Sequence, residues 1–209
     1  MGFFYGGKVL DTQVTSDGHA RCAWCTATDG YISYHDDDWG WPVSDDQKLF
    51  EKLTLESFQS GLSWRTILEK RDGFKTCFTN FDFHKIAQFD DRDVERLVLD
   101  ASIVRHRGKI TATINNANLA IAAQQDYGSL ARYLWSFADP NDLGSGTEQR
   151  STSPAAQAMS KQMKKDGWKF FGPTTAYAFM QAAGMVNDHA VGCVNRDAAT
   201  KAQAEFDRP

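Results

Sequence analysis

Apolar residues recur at helical spacing through most of this 209-residue chain. Leu49, Phe50 and Leu53 follow Ser44-x-x-Gln47, which reads as a capping box opening a helix. Trp64, Ile67 and Leu68 repeat the spacing in a second helix that should end near Gly73. Asp82 is placed to cap a short helix carrying Ile86 and Phe89, and Asp90 or Asp91 to cap one with Val94, Leu97 and Val98. A tight link, DASIVRHRG, leads into a long helix from about Lys109 to Gln125, with Ile110, Ile114, Ala117 and Ile121 on one stripe. Gly128 closes it, and Ser129 opens another that buries Leu130, Tyr133, Leu134 and Phe137. Ser153-Pro154 is a cap followed by proline at the first helical position, and MKKDG ends that helix at Gly167. Pro173 and Thr174 begin a last apolar helix, AYAFMQAAG, ended by Gly184. No stretch alternates at period two for long enough to predict a strand, and no repeats occur. The pattern predicts an all-α bundle over residues 21–195, as one domain or two lobes divided by the polar loop 139–153. Residues 1–20 read as a flexible extension and 196–209 as a charged, flexible tail.

Composition narrows the setting. The chain is 42% hydrophobic and 12% aromatic, and long enough to bury a core without disulfide staples. No apolar run approaches the roughly 20 residues of a membrane helix, and the first residues are wrongly flanked for a secretory signal. Cys22, Cys25, Cys77 and Cys193 therefore read as free thiols or metal ligands in a cytoplasmic protein. A net charge of −4 argues against heavy non-specific nucleic-acid binding. Two basic clusters still leave room for a local cationic face: Arg92, Arg96, Arg105, Arg107 and Lys109, then Lys161, Lys164, Lys165 and Lys169.

Three groups of residues could carry chemistry. Cys22-x12-His35 near the start and His189-x3-Cys193 near the end suit tetrahedral, structural zinc, the second pair facing one way if it occupies a helical turn. Cys25 completes a CxxC with Cys22 and offers a competing ligand or redox pair; the plainer alternative is four unrelated buried residues. The hairpin Leu97–Lys109 could offer backbone amides and cations to a phosphate. Its turn is poor in glycine, with Ser102 where glycine would help, so an ordinary αα-corner explains it equally well. Finally, Tyr31, Tyr34, Trp39 and Trp64 could form an aromatic slot that favours a cation, with Glu56 accepting hydrogen bonds from an exocyclic amine. Core packing is the commoner fate of such aromatics, and of Glu56 a helix surface. No nucleophile–base arrangement or glycine-rich phosphate loop is present.

Taken together, RCAWC (21–25), YISYHDDDWGWP (31–42), LESFQSGLSWRTIL (55–68), FKTCFTNFD (74–82), DVERLVLDASIVRHRGKI (93–110) and WKFFGPTTAYAFMQAAGMVNDHAVGC (168–193) resemble the DNA-3-methyladenine glycosylase I family, Tag. The resemblance implies an all-α, helix-hairpin-helix DNA glycosylase-like bundle with its hairpin at about 93–110. It implies one structural zinc held by Cys22, His35, His189 and Cys193, joining the N- and C-terminal segments. It also implies a monomeric, monofunctional base-excision repair enzyme that hydrolyses the N-glycosidic bond of 3-methyladenine in alkylated double-stranded DNA. The base is flipped out of the duplex into a pocket. Trp64 and Tyr34 would stack on it, Glu56 and Tyr31 would bond its edge, and Trp39 would support the wall. Gln59, Gly61 and Leu62 would fill the gap in the duplex, with Leu62 as an apolar wedge; Arg105, Arg107 and Lys109 would meet the backbone. Phe58 with Ser57, and Ser102, depart from the family's usual residues, which puts opposite-strand and phosphate contacts in question. Asn115 and Asn116 stand where related glycosylases carry an acid, so Glu56 is the candidate catalytic group. The rival expectations are a non-catalytic, zinc-stabilised binder of damaged DNA and a zinc-clamped protein-interaction domain.

Overall fold

The computed structural model describes residues 9–209. Eleven α-helices occur among these residues: α1 Asp29–Asp37, α2 Asp46–Gln59, α3 Trp64–Glu69, α4 Arg71–Cys77, α5 Phe83–Ile86, α6 Asp91–Leu99, α7 Arg107–Tyr127, α8 Leu130–Trp135, α9 Pro154–Lys165, α10 Pro173–Ala182 and α11 Arg196–Glu205. Two short strands, β1 Thr12–Val14 and β2 Ala20–Cys22, pair antiparallel with Thr12 opposite Cys22.

Helix α2 is the axis of the bundle. Every residue from Leu49 to Phe58 is buried, polar ones included. Its apolar side chains join one continuous cluster running from Leu49 to Val186, so the loop at 139–153 does not divide two cores. The buried charges of α2 are answered in place: Lys52 bonds the Asp38 carboxylate and carbonyl, and Arg71 bridges Asp38 at 2.6 Å and Glu51 at 2.7 Å.

Most helix ends follow local chemistry. Asp82 accepts from the amides of His84 and Lys85, and Asp90 forms a reciprocal capping box with Asp93. Gly128 takes the left-handed conformation that ends α7, and Ser129 and Ser153 cap α8 and α9.

Four expectations are corrected. The cap of α2 is Asp45, whose side chain accepts from Lys48 N, one residue beyond the Ser44 box. The Trp64 helix stops at Glu69, and Gly73 lies inside α4. A β-carbon on Gly73 would sit 2.4 Å from the carbonyl oxygen of Ser102, so glycine there allows α4 to touch the α6–α7 turn. Residues 9–20 carry the β1 strand, fastened by Ala23 N to Asp11 O at 2.9 Å; residues 1–8 of the expected extension lie outside the described residues. Residues Arg196–Glu205 form α11, and Phe206 beyond it packs on Trp135 at 4.7 Å between ring centroids. The charged surface of that tail hides an apolar anchor too brief to register as periodicity.

Candidate active site

A cavity of about 350 Å³ opens beside the C-terminal half of α2. Tyr31 and Tyr34 enter it from α1, Trp39 from the turn after α1, Glu56 from α2 and Trp64 from the first position of α3. These five residues, spread over 34 positions of sequence, are brought together because α3 packs on both α1 and α2. The rings of Tyr34 and Trp64 lie 5.2 Å apart at 44°. The indole nitrogen of Trp64 is buried and meets no acceptor among the described residues.

The sequence reading missed one large member. Trp24, 37% exposed, meets Trp39 edge-on at 5.1 Å and Tyr31 at 5.8 Å. It stands between Cys22 and Cys25 in RCAWC, a segment too short to show which way its side chain faces. Gln149 and Arg150 were missed because they belong to the polar loop, which gave no periodic signal; they form part of the opposite wall.

Glu56 is 5% exposed and has no hydrogen-bond partner among the described side chains. Burial pushes its carboxyl up to about 8, against a smaller opposing pull from Lys52 one helical turn away. Such a carboxyl gains most from an occupant that is cationic, because a positive charge restores the ionised form. Aromatic faces on the surrounding walls attract the same kind of occupant.

Behind this cavity, Cys22, His35 and Cys193 converge, with their ligand atoms all within 4.8 Å of one another. His189 is adjacent: its ring lies 5.0 Å from that of His35 and 4.8 Å from that of Trp39. Its Nδ1 is taken by Asn187 Oδ1 at 2.8 Å, and its buried Nε2 has no partner. His35 is oriented the same way, Nδ1 toward Asp36 Oδ1 at 2.7 Å and Nε2 toward Cys193 Sγ at 3.4 Å. The Cys193 thiol is drawn down to about 4 by hydrogen bonds from Cys22 and His35, while its partner Cys22 is held up. His189 is kept neutral, lowered to about 4 by burial and by His35. Two cysteine sulfurs and two histidine rings with their rear nitrogens anchored make a donor set that fits tetrahedral zinc. Cys25 is buried but falls outside the cluster. The helical turn expected for His189 and Cys193 is absent: residues 187–194 are irregular, and Cys193 N bonds Ala190 O at 2.9 Å ahead of α11. Gly40, at φ +84°, makes the approach possible, since a β-carbon there would lie 2.4 Å from His189 Cε1.

The residues expected at DNA divide. Gln59 ends α2 and its amide donates to Leu62 O at 2.9 Å, Gly61 has φ +81°, and Leu62 projects at 38% exposure. Arg105 is exposed, and Arg107 is exposed but paired with Glu95 in two bonds of 2.7 and 2.8 Å. Lys109 is corrected: it is 6% exposed, and its ammonium donates to the carbonyls of Phe58 and Ser60 at 2.8 and 2.6 Å, which leaves it turned away from any backbone phosphate.

The methyladenine glycosylase family profile matches residues 24–196. The chain belongs to that family. Among the family's members, DNA-3-methyladenine glycosylase 1 of Escherichia coli is 47% identical over 177 residues, covering 83% of this chain and 95% of that one. The DNA-3-methyladenine glycosylase of Haemophilus influenzae is 39% identical over 177 residues, covering 83% and 96%. A crystal structure of 3-methyladenine DNA glycosylase I matches with a TM-score of 0.78 at 44% identity over 83% of this chain and 98% of that one. The Staphylococcus aureus family member, solved for its recognition of 3-methyladenine, matches with a TM-score of 0.79 at 36% identity over 84% and 96%. No helix among the described residues is long and apolar enough to cross a membrane.

Proposed function

We propose that this protein is a DNA-3-methyladenine glycosylase that excises the alkylated base from double-stranded DNA in base-excision repair. The observation that carries the reading is Glu56: a buried, unpartnered carboxylate on the wall of an aromatic cavity. A base inside a duplex cannot reach such a cavity, so the nucleotide must be flipped out. Methylation at N3 gives the base a positive charge. When the N-glycosidic bond breaks, its electron pair passes to the base and cancels that charge. Water supplies a hydroxyl to C1′ and releases a proton. With the leaving group already activated, the chain has mainly to select and hold the cation. Trp64 and Tyr34 stack on it, Glu56 and Tyr31 bond its edge, and Trp39 with Trp24 backs the wall. Glu56 as the group that activates water is part of the same proposal.

Around the cavity, the turn at Gln59–Leu62 occupies the gap left in the duplex, with Leu62 as the wedge. The hairpin that grips the backbone is better supplied by α9 and α10 than by α6 and α7. The α6–α7 turn is closed by Asp100, which accepts from Ser102 N and Oγ, and by Lys70 on Ala101 O. The α9–α10 turn carries Gly167 and Gly172, and the amides of Phe170, Phe171 and Gly172 donate to no group among the described residues. Lys164, Lys165 and Lys169 stand exposed beside it. Phe170 is held outward at φ +54° and 42% exposure, because Asn116 bonds both backbone groups of Lys169 at 2.9 and 3.0 Å. Free amides beside lysines suit a phosphate.

One zinc ion held by Cys22, His35, His189 and Cys193 would tie the strand before the first helix to the segment after the last cavity helix. It would supply stability and take no part in the reaction. The protein acts as a cytoplasmic monomer. The test is release of 3-methyladenine from methylated duplex, resolved by chromatography. Wild type should release it, and Glu56→Gln and Trp64→Ala should be strongly impaired; a folded wild type that binds methylated DNA without releasing base would establish the non-catalytic binder instead.

A further inference from the structure

We infer that Leu10, upstream of the residues matched by the family profile, is a specificity-determining residue of the base pocket. The inference rests on the reading of the cavity as the base site. The family match begins at residue 24, yet Leu10 lines the same cavity as Glu56 and Trp64. Aligned relatives account for 83% of this chain but 95% of their own length, so the chain carries residues for which the Escherichia coli relative has no counterpart.

Leu10 is fixed in place from three directions. Its amide donates to Thr147 O at 3.0 Å, and its neighbour Val9 forms an antiparallel bridge with Glu148. Its side chain packs on the buried cluster of Cys22, Ala190 and Cys193. The loop it pairs with is itself fastened to the C-terminal segment, through Asn187 N to Leu143 O at 2.7 Å and Val191 N to Gly146 O at 2.9 Å. That loop then delivers Gln149 and Arg150 to the cavity directly after the bridge. The bridge at Val9 and Leu10 thus sets the position of the second wall as well as contributing to it.

An aliphatic side chain at this place removes volume from the cavity and offers no hydrogen bond. It favours a base whose facing edge is small and apolar, and disfavours one carrying an extra exocyclic amine. Interiors resist overpacking, and desolvating an amine without a partner is costly. Leu10 therefore selects 3-methyladenine against 3-methylguanine.

The experiment compares wild type, Leu10→Ala and Leu10→Met in the full chain. Each is assayed for kcat/KM on duplexes containing 3-methyladenine or 3-methylguanine, with thermal melting and metal content measured alongside. Leu10→Ala should lower the preference for 3-methyladenine about tenfold, corresponding to ~1.4 kcal/mol of lost discrimination, while Leu10→Met restores it. Leu10→Ala also removes packing from the cluster of Cys22, Ala190 and Cys193, so its melting temperature should fall and Leu10→Met should recover it; the ratio of the two substrates, which a uniform loss of folded protein leaves unchanged, is the deciding readout. An unchanged preference ratio in Leu10→Ala overturns the inference, as does an equal loss on both bases, the mark of a merely structural role. Should wild type release neither base, the failure belongs to the reading of the site and is visible before any variant is compared.

Discussion

The ammonium of Lys109 ties the first turn of α7 to the end of α2, donating to Ser60 O at 2.6 Å and Phe58 O at 2.8 Å. These carbonyls belong to the last turn of α2 and to the residue that caps it, where no backbone donor remains for them. Burial lowers the pKa of Lys109, and its amine faces the negative end of the α2 dipole. The residue read from sequence as a phosphate ligand is a splint for the Gln59–Leu62 turn.

Removing it should loosen the Gln59–Leu62 turn without touching the aromatic cavity. Lys109→Met leaves the buried Phe58 carbonyl and the part-buried Ser60 carbonyl without this donor and should cost about 1–3 kcal/mol of stability. Excision from duplex should fall severalfold, while affinity for free 3-methyladenine, measured calorimetrically, stays unchanged. Loss of free-base binding in a folded variant would place Lys109 in the pocket instead.

Glu56 gives a pH dependence with a definite sign. Its folded value, about 8, lies above the ordinary value of 4.5, because burial disfavours the charge. The fold therefore takes up a proton, and this group's contribution to stability is lost as pH rises from about 4.5 to about 8. Glu56→Gln should remove that slope, so its melting temperature should exceed that of wild type at pH 9 by more than at pH 5. For activity the sign reverses, since the anionic carboxylate attracts the cationic base. kcat/KM should climb with pH through the titration of Glu56, and the step should vanish in Glu56→Gln.

The proposed zinc site of Cys22, His35, His189 and Cys193 predicts about one zinc per chain by elemental analysis, as a closed four-ligand site requires. Cys193→Ala should lose metal and melt at a lower temperature, and affinity for zinc should weaken in acid as thiol and imidazole take up protons. Full metal content in His189→Ala would remove His189 from the ligand set.

For the backbone grip, the α9–α10 turn should matter more than Arg105 or Arg107. If Lys169 neutralises one phosphate, Lys169→Ala should flatten the log–log salt dependence of duplex binding by about 0.9. Phe170→Gly should weaken DNA binding while stabilising the fold, because it relieves a left-handed conformation costing about 1–3 kcal/mol. Arg107→Ala should cost little, its guanidinium being committed to Glu95.

Local chemistry in the sequence determined the helices. Side-chain caps such as Asp82, Asp90, Ser129 and Ser153 act within a few residues, so α5, α6, α8 and α9 were legible where they start. The resemblance of short motifs to one family likewise pointed to Tyr31, Tyr34, Trp39, Glu56 and Trp64 before any geometry was known. Tertiary structure alone decided what depends on distant partners. Lys109 is a cation in any sequence window, and only the end of α2, some fifty positions earlier, turns it inward. Trp24 is one aromatic among many until β2 and α1 set it against Trp39. Leu10 belongs to a segment too short to show a period, and its place follows from backbone pairing with a loop far along the chain. Periodicity and capping report interactions within a few residues; the burial of a charge and the wall of a cavity are set by neighbours that no local pattern encodes.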